Sequence, residues 1–221
     1  MRNDLRGICF HGVGVPGRDL EPGEDAYWID ADGFRRILDE VMTWPSTSIS
    51  FDDGNASDVD VALPALVERG LTATFFVLGA RLDQPGSLSR ADVAGLTAAG
   101  MRVGTHGMDH RSWREMSEED QHREFVEARD MLVDASGAAV TEAACPLGQY
   151  DRHVLHLLRR HGYSTVHTSD RRPARLGAWL QPRFSVRQGQ TGTSLRAAVS
   201  RAEMARHRAV REAVGVVKRL R

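Results

Sequence analysis

Two short segments concentrate residues able to do chemistry. The first is Ile49-Ser50-Phe51-Asp52-Asp53-Gly54-Asn55, in which two adjacent carboxylates follow an apolar stretch and precede a glycine turn. Two such groups are not cheaply buried side by side in ionised form unless a cation compensates them. On its own, Asp-Asp-Gly is also an ordinary turn sequence. The second segment is Thr105-His106-Gly107-Met108-Asp109-His110. Its two imidazoles, four residues apart, can reach one ion from one face of a helix or a tight loop, at about 2.0 to 2.1 Å each. Alone, the pair reads equally well as two surface histidines. Taken together, one Asp and two His leave a coordination position open for water, which is the pattern of a catalytic rather than a structural zinc site.

The elements that must position these residues alternate along the chain. Strand signals fall at 7–10, 48–51, 72–78, 101–104, 141–144 and 163–167, with helical periodicity between them. Asp32 reads as the N-cap of a helix carrying Phe34, Ile37, Leu38 and Val41, and a second helix starts near Asp58, weakened by Pro64 and ended by Gly70. Ser89 with Asp92 forms a capping-box pattern, Ser117 with Asp120 opens a longer helix, and a further helix spans 151–161. Strands alternating with helices argue for a parallel sheet with right-handed crossovers. His11, Asp52-Asp53, His106 with His110, Pro146-Leu147-Gly148 and Asp170 each follow a strand signal. Catalytic groups gathered from the C-terminal ends of several strands are the layout of an α/β barrel. No glycine-rich phosphate loop opens a helix, which excludes the dinucleotide and nucleoside-triphosphate readings.

Composition agrees with one such unit. The chain has 221 residues, 41% hydrophobic and 27% charged, which suits a soluble globular domain. The longest apolar run, near 75–80, is far short of the ~18 residues that span a bilayer. The first residues lack the apolar core of a secretory signal, so the expected location is cytoplasmic. Cys9 and Cys145 are too few for a disulfide framework and read as reduced core thiols. Charge is asymmetric: from Arg171 to Arg221, 13 Lys and Arg stand against 2 Asp and Glu, whereas the preceding residues carry 16 against 28. A barrel over 1–190 followed by a basic helical segment over 191–221 is the expected organisation. Nucleic acid is not the expected partner, because no aromatic residues interleave with the arginines. His122, His153, His156, His161, His167 and His207 have no partner motif and read as solvated; oligomeric state is not legible.

The combination of motifs resembles the NodB-type polysaccharide deacetylases of carbohydrate esterase family four, over roughly Cys9 to Arg187. The resemblance implies a distorted (β/α) barrel, a general base at Asp52, and a divalent metal ligated by Asp53, His106 and His110. Zinc is the expected ion, with cobalt, nickel or manganese as possibilities. The family's His-[Ser/Thr]-x-x-His motif matches His106 to His110 with Gly107 in place of the hydroxyl residue. Its Arg-x-Pro-[aromatic]-Gly motif aligns with Ala144-Cys145-Pro146-Leu147-Gly148, so the base-orienting arginine is missing at Ala144, while Leu147 can still supply the backbone N–H that meets an oxyanion. The usual Leu-x-His near the C-terminus is also absent. His11 instead resembles a rearranged branch of the family, acting on exported poly-N-acetylglucosamine, in which the acid histidine precedes the Asp-Asp motif. Asp170 stands where the family has an orienting carboxylate, and Arg183 is the candidate to replace the missing arginine from another strand.

The resemblance therefore implies hydrolysis of an N-acetyl group from an amino sugar or glycan. The expected substrate is an N-acetylated sugar, with a phosphate-bearing one compatible with the basic C-terminal segment. Two alternatives stand beside it: a catalytically degenerate barrel that binds sugar or regulates a partner, and a related hydrolase of a non-sugar amide.

Overall fold

Seven strands run parallel and close on themselves: β1 (Asp4–Phe10), β2 (Thr47–Asp53), β3 (Ala73–Val77), β4 (Arg102–Thr105), β5 (Glu142–Ala144), β6 (Thr165–Thr168) and β7 (Leu180–Ser185). Closure comes from β1 pairing with β2 on one side and with β7 on the other, in the register Gly7↔Arg183, Ile8↔Phe184 and Cys9↔Ser185. The computed structural model describes residues 4–204 together with 216 and 217. Helices α1 (Ala31–Val41), α2 (Leu63–Glu68), α3 (Arg90–Ala98), α4 (Glu118–His122), α5 (Ala128–Ser136), α6 (Arg152–Arg160) and α7 (Gly192–Glu203) surround the strands. The expected α/β barrel is thus the architecture found. No described helix is long and apolar enough to cross a membrane.

Local chemistry sets the boundaries. The Ser89–Asp92 capping box forms as read, and Ser117 and Asp151 cap α4 and α6. α1 departs from expectation: its N-cap is Asp30, whose side chain accepts from the Gly33 N–H at 2.7 Å, and Asp32 lies in the first turn. Pro64 does not interrupt a helix, because a π-helical turn (Asp58–Ala62) precedes it and α2 begins there, where a missing N–H costs nothing. A second π-helical turn (Arg123–Glu127) joins α4 to α5. Each wide turn carries a fully buried carboxyl, Asp58 and Glu124.

β7, the strand that carries Arg183, holds Pro182 at its centre, a residue that ordinarily reads against an interior strand. His167 was misread as solvated; it lies on β6, buried, with Nε2 2.9 Å from Glu142 Oε2. The boundary expected after 190 falls just before α7. That helix buries Leu195, Val199 and Ala202 in the same apolar core as Phe10, Phe34 and Phe51, and Glu203 near its end pairs with Arg6 on β1 at 2.6 Å. Its last turn therefore lies at the N-terminal end of the barrel strands. Within the expected basic segment 191–221, residues 205–215 and 218–221, which include Arg206, His207 and Arg208, lie outside the described residues.

Candidate active site

Strand alternation selects the inward-facing residues. Phe10, Phe51 and Phe75 sit in register on β1, β2 and β3 and stack at centroid separations of 5.3 and 4.7 Å, with Phe34 of α1 edge-on to Phe10 at 5.0 Å. These rings face the helices, so with a period of two Cys9, His11, Ser50 and Asp52 turn to the barrel interior. Asp53 would ordinarily point outward. Its backbone is left-handed, with φ 78°, and this brings its carboxylate to the same mouth as that of Asp52. A non-glycine residue in this region is uncommon and costs energy that the surroundings must supply, a condition concentrated at functional sites.

The two carboxylates have opposite surroundings. Asp52 receives both arms of the Arg183 guanidinium, Nη1 to Oδ1 at 2.6 Å and Nη2 to Oδ2 at 2.8 Å, and Nη1 also donates to Ser50 Oγ at 2.9 Å. Burial alone would raise the Asp52 carboxyl, but Arg183, helped by His106, holds it well below the usual carboxylate range. Arg183 reaches there from β7, over the face of Phe76 at 5.1 Å.

Asp53 is 1% exposed, and neither carboxylate oxygen has a hydrogen-bond partner among the described residues. Facing it are His106 Nε2 and His110 Nε2, each 3.5 Å from Oδ1. Both imidazoles have their other nitrogen committed. His106 Nδ1 lies 2.8 Å from the Ala144 carbonyl and His110 Nδ1 lies 2.7 Å from Glu21 Oε2, both acceptors, so each Nδ1 donates, and in the neutral ring each Nε2 presents a lone pair towards Asp53. Burial pushes His106 down to about 4, so it is neutral at neutral pH. Burial would raise Asp53, and the rings of His11, His106 and His110, in their protonated forms, bring it below its ordinary value. An orphaned buried carboxylate between two fixed imidazole lone pairs fits a divalent cation, and the donor atoms of the three residues lie within 4.8 Å of one another.

The loop bearing the histidines is held from below. Glu124 accepts from the Met108 N–H at 2.8 Å, the Asp109 N–H at 3.2 Å and Trp113 Nε1 at 3.1 Å. This explains the glycine at position 107. With φ 84°, a Cβ there would lie 2.2 Å from Glu124 Oε2 and 2.9 Å from Trp113 Nε1. Glu21, which receives His110, is bound in turn by Arg81, and its N–H donates to Glu24 Oε2 at 2.9 Å.

A cavity of about 200 Å³ opens over these groups and is also lined by His11, Tyr27 and Leu147. The His11 ring packs on Tyr27 at 4.8 Å, and its Nδ1 is buried without a hydrogen-bond partner among the described residues. Leu147 is exposed and takes φ 57° in the turn Pro146–Gly148. The structure thus brings together Asp52, Asp53, His106, His110, His11, Leu147 and Arg183 at one mouth. Asp170 is not among them: its Oδ2 receives the Tyr150 hydroxyl at 2.6 Å and the Thr168 hydroxyl at 3.0 Å. Glu21, Glu124 and Tyr27 went unnoticed in the sequence, because no local motif distinguishes a supporting carboxylate or ring from a surface one.

Comparison with known proteins agrees with the geometry. The polysaccharide deacetylase family model matches residues 41–166, which include both motifs and Leu147 but neither His11 nor Arg183. The chain is 32% identical over 128 residues to chitooligosaccharide deacetylase of Sinorhizobium fredii, spanning 57% of each. It is 23% identical over 205 residues to YxkH of Bacillus subtilis, covering 85% of this chain and 73% of that one. The solved structure of Streptococcus pyogenes deacetylase PplD superposes with a TM-score of 0.76 at 18% identity, over 90% of this chain and 99% of that chain. With more than half of its length matched, and the paired carboxylates and paired histidines inside the match, the chain belongs to the polysaccharide deacetylase family.

Proposed function

We propose that this chain is a metal-dependent hydrolase that removes the N-acetyl group from an amino sugar or glycan. The observation that carries this reading is the pair of orphaned Asp53 oxygens, facing two imidazole lone pairs, beside a second carboxylate clamped by Arg183. Asp53, His106 and His110 would hold the cation, for which a nitrogen, nitrogen, oxygen donor set suits zinc, with cobalt, nickel or manganese also compatible. When bound, it supplies polarisation of the acetamide carbonyl and acidification of a water.

The remaining work falls to the protein. Asp52 is the general base and takes the proton of the attacking water. Arg183 keeps it ionised and fixed in direction, at the expense of its basicity. The Leu147 N–H donates to the oxyanion as the carbonyl carbon becomes tetrahedral. His11, packed on Tyr27, hands a proton to the amine nitrogen, which otherwise leaves poorly. The Arg183 contact to Asp52 from β7 supports the active reading over a degenerate barrel, because an arginine is missing at Ala144.

The finer reading of the substrate is an N-acetyl sugar that carries phosphate. The described end of the basic segment does not support it, because the last turn of α7 lies at the opposite end of the strands from the mouth. Arg187 does, since it donates to the Tyr27 hydroxyl at 3.0 Å at the edge of the cavity. Its replacement by Ala should raise KM for a phosphorylated N-acetyl sugar and leave KM for the neutral one unchanged; equal effects on both would remove the phosphate from the reading.

Acetate release from N-acetylglucosamine oligomers and from single N-acetyl sugars tests the activity. The zinc-loaded chain should release acetate, and Asp52→Asn should be slower by about 10²- to 10⁴-fold. A chain that holds one equivalent of zinc and releases no acetate from any of these sugars would contradict the proposal.

A further inference from the structure

β1 ends in Cys9-Phe10-His11, and alternation turns Cys9 and His11 to the same inner side as Asp52 on the adjoining strand. Cys9 Sγ, a ring nitrogen of His11 and a carboxylate oxygen of Asp52 all lie within 4.8 Å of one another. This trio shares no residue with the Asp53, His106 and His110 group.

The Cys9 thiol takes part in no disulfide and is fully buried; its sulfur makes a long 3.5 Å approach to the Phe10 carbonyl and lies within side-chain hydrogen-bonding reach of Ser50 and Asp52. His11 Nδ1 is buried without a hydrogen-bond partner among the described residues. Arg183 lies near enough to Cys9 to oppose the effect of burial on the thiol. Thiolate, imidazole and carboxylate within one reach make a donor set for a thiophilic divalent ion, at about 2.3 Å for sulfur and about 2.0 to 2.2 Å for nitrogen and oxygen.

We propose that Cys9, His11 and Asp52 form a second cation site, selective for zinc- and cadmium-type ions, whose occupation blocks turnover. Binding converts the thiol to thiolate and releases its proton to solvent. The same event takes the imidazole lone pair of His11 and an oxygen of Asp52, leaving neither an acid nor a base. Arg183 already holds Asp52, and a first cation at Asp53 repels a second, so this site fills only when metal is in excess. The binding claim stands independently; the loss of turnover rests on the roles assigned above to Asp52 and His11.

The test is a cadmium titration of the full chain carrying one equivalent of zinc. Sulfur-to-cadmium charge-transfer absorption in the ultraviolet and acetate release are read from the same samples. The site near Asp53 contains no sulfur, so cadmium exchanging into it adds no such band. In the wild-type chain the band should grow with a second equivalent while acetate release falls with the same midpoint. Cys145 also lines the cavity, so Cys145→Ala is the control and should keep the band. Cys9→Ala and Cys9→Ser should both lose the band, retain turnover at one equivalent of zinc, and resist excess metal; two variants guard against a packing defect in either. No band in the wild-type chain, or a band that survives both Cys9 variants, overturns the site. A Cys9-dependent band with unchanged turnover overturns its inhibitory role. If the chain releases no acetate under any condition, the proposed reaction fails while the absorption still decides the site.

Discussion

The two sides of the barrel mouth satisfy neighbouring carboxylates in opposite ways. On the side of β1 and β7, Asp52 is paired with Arg183 through two hydrogen bonds, and its charge is compensated by the protein itself. On the side of β4 and its histidine loop, Asp53 has no hydrogen-bond donor among the described residues and faces the Nε2 atoms of two imidazoles. Adjacent residues of one type therefore carry different obligations. A carboxylate already balanced stays ionised and aimed without a cation of its own, whereas an unbalanced one demands a partner from solution.

Replacing the unbalanced carboxylate should have the largest effect. Asp53→Asn should lose the metal and reduce acetate release to background. Without metal the same variant should be more stable than the wild type by about 1–3 kcal/mol, because an amide donor can bond the His106 Nε2 lone pair and no unpartnered charge remains buried. Thermal unfolding in chelator reads this, and an unchanged or lower Tm would break the contrast between the two sides. Asp52→Asn should keep the metal and lose turnover over the range given above.

Arg183→Met should be the most destabilising change on the balanced side, at ~3–5 kcal/mol by denaturant unfolding, since it strands Asp52 in the interior. A loss below about 1 kcal/mol would mean that Asp52 finds compensation elsewhere. The unbalanced side has its own signature in pH. His106 titrates at about 4 in the folded chain against ~6.5 when unfolded, so between those values the unfolded state binds more protons. Metal-free protein should therefore lose stability as pH falls from about 6.5 to about 4, on the order of 3 kcal/mol in all, and His106→Asn should flatten that slope. The smallest effect belongs to the support of His110: Glu21→Gln should weaken zinc about 10- to 100-fold by competition with a chelator, with the fold unchanged.

The sequence made the unbalanced side readable because its donors come from two short local segments, Asp52-Asp53 and His106 to His110. What completes the site is distant in sequence. Arg183 meets Asp52 across 131 residues, and only closure of the barrel by a proline-bearing strand brings them together. Glu21 meets His110 across 89 residues, from an irregular loop without a motif. Strand and helix order followed from capping residues and alternation, but the left-handed turn at Asp53, which makes two neighbouring carboxylates share one mouth, leaves no mark in composition or spacing. Asp170 shows the converse: it stands where the family has an orienting carboxylate, yet its carboxylate receives the Tyr150 and Thr168 hydroxyls and does not line the cavity.

The central claim is that Asp53, rather than Asp52, is the carboxylate that requires a cation. The most direct test is metal content per chain by elemental mass spectrometry, after zinc loading and dialysis, on wild type, Asp53→Asn and Asp52→Asn side by side. The account predicts close to one ion in the wild type and in Asp52→Asn, and little in Asp53→Asn. No retained metal in the wild type, or equal retention in Asp53→Asn, would contradict it.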